Sequence, residues 1–324
     1  MKALICEKFG MPETLQVGEI PDPIPGPNQV LVQVEACGVN FPDTLIIQNK
    51  YQFKPELPFS PGGELVGKVI ECGKDVSSFQ VGDYVLGLSG WGGMAEKALV
   101  DEDRIFALPK GIPAEVAAST LYTYATSFYA LKDRGRLEKE EILLVLGAGG
   151  GIGLAAVELA KLMGAKVIAA ASSVDKLEAA KAKGADLTIN YSEEDLKARV
   201  KELTGGKGVD MVLDPVGGFY TELALRGMAW GGRYLIVGFT QGEIPKIPMN
   251  LPLLKGCSIL GVFWGDFSRK EADKNRENLN QLMNWISEGK IQKPIVSKYS
   301  LEDAPKAIRA MMDRKLVGKV VVVI

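Results

Sequence analysis

The chain has 324 residues, enough for two domains with cores of their own, and its 47% hydrophobic and 24% charged residues are the balance of a folded, water-soluble protein. A formal net charge of −2, with no basic stripe, gives no footprint for nucleic acid or an anionic membrane, and no apolar stretch approaches the roughly 20 residues of a membrane span. There is no histidine. That excludes Ser-His-Asp and Cys-His triads, histidine-ligated zinc and a histidine general base, so any chemistry rests on a cofactor or on Tyr, Lys, Asp and Glu.

The opening M-K-A-L-I-C-E-K places charges where a secretory signal would need its apolar centre, and the expected location is the cytoplasm. The four cysteines, Cys6, Cys37, Cys72 and Cys257, lie far apart without C-x-x-C spacing and are expected as buried free thiols. Pro21, Pro23, Pro25 and Pro27 lead into a strand over Val30–Ala36. Glu64–Cys72 and Val81–Leu86 read as further strands, separated by Gly and Asp turns. Short strands without helical crossovers predict a compact β-rich domain. A helical pattern then runs from Pro113 to about Leu131.

At Ile142 the pattern changes. The apolar run Ile142–Leu146 meets Gly147, Gly149, Gly150, Gly151 and Gly153, and a helix-compatible segment, Leu154–Met163, follows. This is the strand–turn–helix context in which glycines let backbone N–H groups approach a pyrophosphate at a helix N-terminus. It is not a P-loop, because no Gly-Lys-Ser/Thr closes it. The next run, Lys166–Ala171, ends in Ser172 and Ser173 where an NAD-binding chain presents a carboxylate to the ribose, and Lys176 follows. Hydroxyls and a cation in place of a carboxylate predict a 2′-phosphate, hence NADP(H). The competing reading makes either serine a cap for the helix starting near Val174, Lys176 a solvated charge, and Asp175 a ribose ligand that would restore NAD.

Apolar runs at Leu187–Asn190, Val209–Leu213, Arg233–Val237 and Ser258–Val262 alternate with helical patterns at Val174–Lys183, Ser192–Leu203 and Phe219–Trp230. Such alternation predicts a doubly wound parallel sheet with right-handed crossovers. Beyond it, Gly265–Phe267 reads as a loop, Arg269–Glu288 as one long helix, Leu301–Asp313 as another helix, and Lys319–Ile324 as a closing strand with Lys319 a strand-edge charge.

Several motifs together carry a family resemblance. G-G-E-L-V-G-K-V at Gly62–Val69, Cys72-Gly73, Val76, Phe79 and G-D-Y-V at Gly82–Val85 resemble the medium-chain dehydrogenase/reductase superfamily. A-C-G-V-N-F-P-D (Ala36–Asp43), G-G-K-G-V-D-M-V-L-D-P-V-G-G (Gly205–Gly218), I-V-G-F (Ile236–Phe239), G-V-F-W-G (Gly261–Gly265) and R-K-L-V-G-K-V (Arg314–Val320) are similar to its zinc-free, zeta-crystallin-like quinone oxidoreductase branch. The resemblance covers essentially the whole chain. It implies an α/β protein with a GroES-like β-rich catalytic domain over 1–122 and 264–324 and a Rossmann domain over 123–263. It also implies a cofactor in the cleft joining them and a homodimer formed through the Rossmann domain. In the zinc alcohol dehydrogenases a cysteine falls where this chain has Asn40 and a histidine where it has Gly63, so the catalytic zinc ligands are missing. The tyrosine of bacterial quinone reductases after the Asn-x-x-Asp segment is Leu45 here.

The candidate cofactor residues, from local pattern and resemblance together, are Thr126, Gly147, Gly150, Gly151, Ile152, Gly153, Ser172, Ser173, Lys176, Tyr191, Val216, Gly238, Phe239, Thr240, Phe263 and Arg314. Phe263 and Trp264 have a competing reading as hydrophobic packing. Asn40 and Tyr51 are the candidate catalytic residues, donors for a substrate carbonyl, while Asp43 and Glu64 fit buried structural roles. The expected activity is NADPH-dependent hydride transfer to a quinone or other conjugated carbonyl without a metal. The alternatives are a 2-alkenal or enone reductase, a zeta-crystallin-like nucleotide-binding protein with little catalysis, and an NAD-linked alcohol dehydrogenase.

Overall fold

Alternation of buried and exposed side chains along the first hundred residues builds short antiparallel strands: β1 (Lys2–Ile5), β2 (Gln16–Glu19), β3 (Gln29–Val39), β4 (Glu64–Cys72), β5 (Tyr84–Gly87), β6 (Lys97–Asp101) and β7 (Ile105–Ala107). The helices of this stretch are short, α1 (Phe41–Ile46) and α2 (Ala114–Ala117). Next come α3 (Leu121–Phe128), continued by a wider π-helical turn over Tyr129–Arg134, then β8 (Ile142–Leu146), α4 (Gly151–Leu162), β9 (Lys166–Ala171) and α5 (Val174–Ala182). They are followed by β10 (Leu187–Asn190), α6 (Leu196–Leu203), β11 (Val209–Asp214), α7 (Phe219–Arg226), β12 (Met228–Ile236), α8 (Asn250–Lys255) and β13 (Ser258–Gly261). The chain finishes with α9 (Trp264–Lys270), α10 (Ala272–Ser287), β14 (Val296–Ser300), α11 (Ala304–Asp313) and β15 (Lys319–Val323).

This computed structural model describes residues 1–108 and 111–324. It divides into two units, Met1–Tyr122 with Lys293–Ile324, and Thr123–Gln292. In the first unit, a sheet in the order β14-β15-β3-β4-β5-β7, with β6 also on β3, brings the last strand of the chain against β3 in antiparallel register, Val320 opposite Val39. Buried aliphatic side chains fill both sides of β3: Val30, Val32 and Val34 in one cluster, Cys37 and Val39 in another.

The second unit is a six-stranded sheet, β10-β9-β8-β11-β12-β13, with every pairing parallel. Its central strands read as unbroken apolar runs because helices cover both faces. The strand order reverses at β8 and β11, the topological switch point of a doubly wound sheet. Helix α4 is held by its one buried carboxylate. Glu158 accepts from Lys183 Nζ (3.1 Å), from the Tyr124 hydroxyl (2.6 Å) and from the Gln292 N–H (2.8 Å).

Several sequence expectations are revised. The helix expected over Phe219–Trp230 stops at Arg226, because Gly227 caps it and β12 begins at Met228. The segment expected as a loop, Gly265–Phe267, lies inside α9, and the single helix over Arg269–Glu288 is two, broken where Glu271 leaves helical geometry (φ −125, ψ 52). The helical stretch from Pro113 to Leu131 is likewise interrupted after α2. All four cysteines are free, but only Cys6 and Cys37 are buried; Cys72 and Cys257 are half-buried. Residues 264–292 pack with the second unit rather than the first: Tyr129 stacks on Phe267 (4.0 Å between ring centroids) and Phe128 meets Trp285 edge-on. No helix among the described residues is long and apolar enough to cross a membrane.

Candidate active site

In the second unit, residues singled out for a dinucleotide fall at the carboxyl ends of its strands. β8 ends at Leu146, and the glycine turn leads into α4, whose N-cap, Gly150, supplies no side-chain cap. At Gly153 a Cβ would lie 2.3 Å from the Gly147 carbonyl oxygen and 2.6 Å from Ala148 Cα, so helix and turn pack closely only because no side chain intervenes. Gly150 is different. Its backbone (φ −85, ψ 169) suits any residue, and a Cβ would meet only the Gly147 oxygen at 3.5 Å. The chain's own packing does not require glycine there. Ser127 on α3 donates to the Ile152 carbonyl (3.0 Å), tying α3 to the first turn of α4. Its neighbour Thr126 is 6% exposed, and the Thr126 hydroxyl oxygen is buried with no hydrogen-bond partner.

β9 runs into Ser172, whose hydroxyl accepts from Lys176 Nζ (3.1 Å). Ser173 is the backbone N-cap of α5 but makes no capping bond with its side chain. Tyr191 follows β10, its N–H on Ala171 O (3.1 Å) and its ring against Tyr220 (4.2 Å). Val216 follows β11 because Asp214, 2% exposed, gathers that turn. Its carboxylate accepts from the N–H groups of Val216 (2.7 Å) and Gly217 (2.8 Å), from Thr221 (2.8 Å) and from the Tyr234 hydroxyl (2.6 Å). Sequence reasoning passed over Asp214, although an Asp followed by Pro-Val-Gly-Gly after an apolar run is a turn signature. Gly238, Phe239 and Thr240 follow β12, with Thr240 N–H on Pro215 O (3.1 Å). Phe263 follows β13 and is 44% exposed, whereas Trp264 is core, its indole N–H on Asn275 Oδ1 (2.9 Å).

The first unit buries a polar cluster. Lys319, at the head of β15, is not an edge charge: it is 3% exposed, and β15 is paired on both sides. Its ammonium donates to Asn40 Oδ1 (2.5 Å), Glu64 Oε2 (3.2 Å) and Val39 O (3.3 Å). Asn40 Nδ2 donates to Glu64 Oε2 (2.9 Å) and Gly38 O (3.3 Å). The Asn40 side chain thus spends its carbonyl and both amide hydrogens within the cluster. Glu64 is fully buried, and its other oxygen accepts the Tyr122 N–H (2.8 Å). Asp43 accepts from the N–H groups of Asn40 (2.7 Å) and Gly62 (3.2 Å). Burial pushes the Asp43 carboxyl up to about 6, against the pull of those two donors and of Lys319. Tyr51 packs half-buried on the core cluster containing Ile46 and Ile47, with Phe53 edge-on to its ring (5.9 Å). Arg314, the one candidate cofactor residue in this unit, ends α11 in left-handed conformation (φ 56).

Residues 26–110 match the family described as alcohol dehydrogenase GroES-like domain, and residues 151–288 that described as zinc-binding dehydrogenase. A quinone oxidoreductase-like protein 2 homolog of Nematostella vectensis is 38% identical over 324 residues, covering 99% of this chain and 88% of that protein. The quinone oxidoreductase of Sus scrofa is 32% identical, covering 100% of this chain and 98% of that protein. The crystal structure of Escherichia coli quinone oxidoreductase complexed with NADPH superposes with a TM-score of 0.93 at 30% identity, covering 100% of both chains.

The chain belongs to the quinone oxidoreductase family of the medium-chain dehydrogenase/reductases. It is an oxidoreductase, its first unit the GroES-like domain of that family and its second the Rossmann domain. At Asn40 stand an amide and the Lys319 ammonium, and no three Cys, Asp or Glu side chains among the described residues are grouped to hold a metal.

Proposed function

We propose that this oxidoreductase uses NADPH to reduce a quinone or another conjugated carbonyl, without zinc. The observation that carries the reading is the Ser172–Lys176 pair at the end of β9, two hydroxyl-and-cation donors suited to a 2′-phosphate where an NAD enzyme needs a carboxylate. The second unit fits the rest of the nucleotide on its own geometry. The start of α4 has no side-chain cap, Gly150 leaves room for close backbone approach, and Thr126 has an unsatisfied buried hydroxyl. We assign Gly147, Gly150, Gly151, Ile152 and Gly153 to the pyrophosphate, Ser172, Ser173 and Lys176 to the 2′-phosphate and Tyr191 to the adenosine. Val216, Gly238, Phe239, Thr240, Phe263 and Arg314 complete the cofactor set. The relative from Escherichia coli was crystallised with NADPH.

When bound, the nucleotide supplies hydride. The chain's own residues must then manage negative charge on the acceptor oxygen. A lone carbonyl would need a Lewis acid for this, and the ammonium of Lys319 is enclosed by its own partners. A quinone or enone spreads the charge through its conjugation, so one hydrogen bond suffices. Tyr51 is proposed as that donor. Asn40, also a candidate donor by resemblance, has its amide turned into the cluster and acts by holding it.

The test is steady-state NADPH oxidation with 9,10-phenanthrenequinone, 1,4-benzoquinone and an alkenal; inactivity on all three rejects the proposal. Replacing Lys176 by alanine should weaken NADPH binding about tenfold to a hundredfold and NADH hardly at all, since a hydrogen bond between charged groups contributes about 1.5–3 kcal/mol. Calorimetry with both nucleotides reads the difference.

We also propose a two-fold dimer through the second unit. β13 is the edge of the parallel sheet, and Trp230, Met249, Leu253, Leu254 and Ile259 leave apolar surface exposed on that unit. Long apolar edges left open are rare in monomers. Ile259→Lys should halve the mass measured by light scattering while leaving the thermal midpoint of NADPH-free protein within a few degrees.

A further inference from the structure

The proposed donor, Tyr51, is coupled to a residue that neither sequence motif nor resemblance singled out. Tyr122 shares a side-chain hydrogen bond with Tyr51. Its position is fixed from behind: its backbone N–H is held by Glu64 Oε1, whose carboxylate is held in turn by Lys319 and Asn40. Five residues, from the N-cap of α1, β4, α3, β15 and the loop after α1, thus form one connected path ending at the Tyr51 hydroxyl.

We propose that Tyr122 is a positioning residue for Tyr51, donating a hydrogen bond to the Tyr51 oxygen and aiming the Tyr51 O–H at the acceptor, with the buried Lys319–Glu64 pair holding Tyr122 in place. The proposal rests on the reductase reading above. Burial and its closeness to Tyr51 push the Tyr122 phenol well above its ordinary range, so it stays protonated and keeps its hydrogen. An acceptor that has received hydride carries an oxyanion. The Tyr51 O–H bond breaks, its proton moves to that oxygen, and its electron pair stays on Tyr51. The resulting phenolate accepts the Tyr122 hydrogen bond, which strengthens towards a charged partner, until water returns a proton to Tyr51. Net consumption is one hydride and one proton per acceptor.

Tyr122→Phe tests this cleanly, because it keeps the ring and the backbone N–H on Glu64 and removes only the hydroxyl. The protein is labelled with 3-fluorotyrosine, the Tyr51 resonance is assigned by its loss in Tyr51→Phe, and its midpoint of titration is followed by fluorine NMR without nucleotide or substrate. Tyr122→Phe should raise the Tyr51 midpoint by about one pH unit, the scale of one lost hydrogen bond to a charged group. It should lower kcat with 1,4-benzoquinone about tenfold, leave the KM for NADPH unchanged, and move the alkaline limb of the kcat profile upward with the NMR midpoint. The reciprocal variant, Tyr51→Phe, must move the Tyr122 resonance and so reads the same pair should Tyr122→Phe prove unstable. An unmoved Tyr51 midpoint in Tyr122→Phe, or an unmoved Tyr122 resonance in Tyr51→Phe, overturns the proposal. A moved midpoint in a parent protein that reduces none of the acceptors overturns the reductase reading while upholding the tyrosine pair.

Discussion

Gly150→Val should leave the second unit folded and weaken NADPH and NADH alike by at least about 100-fold, or about 3 kcal/mol. The two glycines that flank the start of α4 make this a controlled experiment. Gly153 sits against backbone: a Cβ there meets the Gly147 oxygen at 2.3 Å and Ala148 Cα at 2.6 Å, so Gly153→Ala must push helix and turn apart and is expected to lower the melting temperature. Gly150 has ordinary extended geometry and no close neighbour, so a valine fits the protein and fills only the space in front of the helix start. Circular dichroism should therefore find the melting curve of Gly150→Val close to the parent's while calorimetry finds no nucleotide binding. Retained binding of either nucleotide would show that the diphosphate docks elsewhere. Equal loss of both distinguishes this variant from Lys176→Ala, whose effect follows the 2′-phosphate.

The fold of the second unit was legible because its signals are local. The apolar run Ile142–Leu146, the glycines after it and the serines after Lys166–Ala171 are strand ends followed by turns, and a parallel sheet places all such ends on one side. Errors there were of boundary: Gly227 ends a helix whose apolar pattern continues into β12, and the bend at Glu271 divides a segment whose periodicity is unbroken. In the first unit the decisive contacts are long-range. Glu64 was read as buried, as it is, but its partner lies 255 residues away, and Lys319 heads an apolar run in the way a surface charge would. Only the antiparallel pairing of β15 with β3, which sets Val320 against Val39, brings Lys319 to Asn40. Tyr122 carried no signal either, since it sits inside a helical pattern and its role depends on a backbone N–H and a hydroxyl that meet different partners.

Lys319→Met should destabilise the protein by about 3–5 kcal/mol, because it strands the Glu64 carboxylate at a site with no exposure to water. Methionine keeps the length of the stem, so little volume is lost and the effect is electrostatic. In a unit of this size such a loss lowers the melting temperature by roughly 10 °C. The pair's desolvation cost offsets most of its attraction, so removing both charges should hurt less than removing one. Lys319→Met combined with Glu64→Gln is expected to recover a large part of the loss, since glutamine retains an oxygen for the Tyr122 N–H and the Asn40 amide, released from Lys319, can turn its own oxygen to the glutamine NH2. Thermal unfolding of the two single variants and the double variant closes the cycle. Strict additivity would mean that Lys319 and Glu64 act independently. Recovery of stability in the double variant without recovery of kcat would show what the charges do beyond packing: the neutral pair holds the fold, while the ionic pair fixes Asn40 and Tyr122 closely enough for Tyr51 to serve as donor.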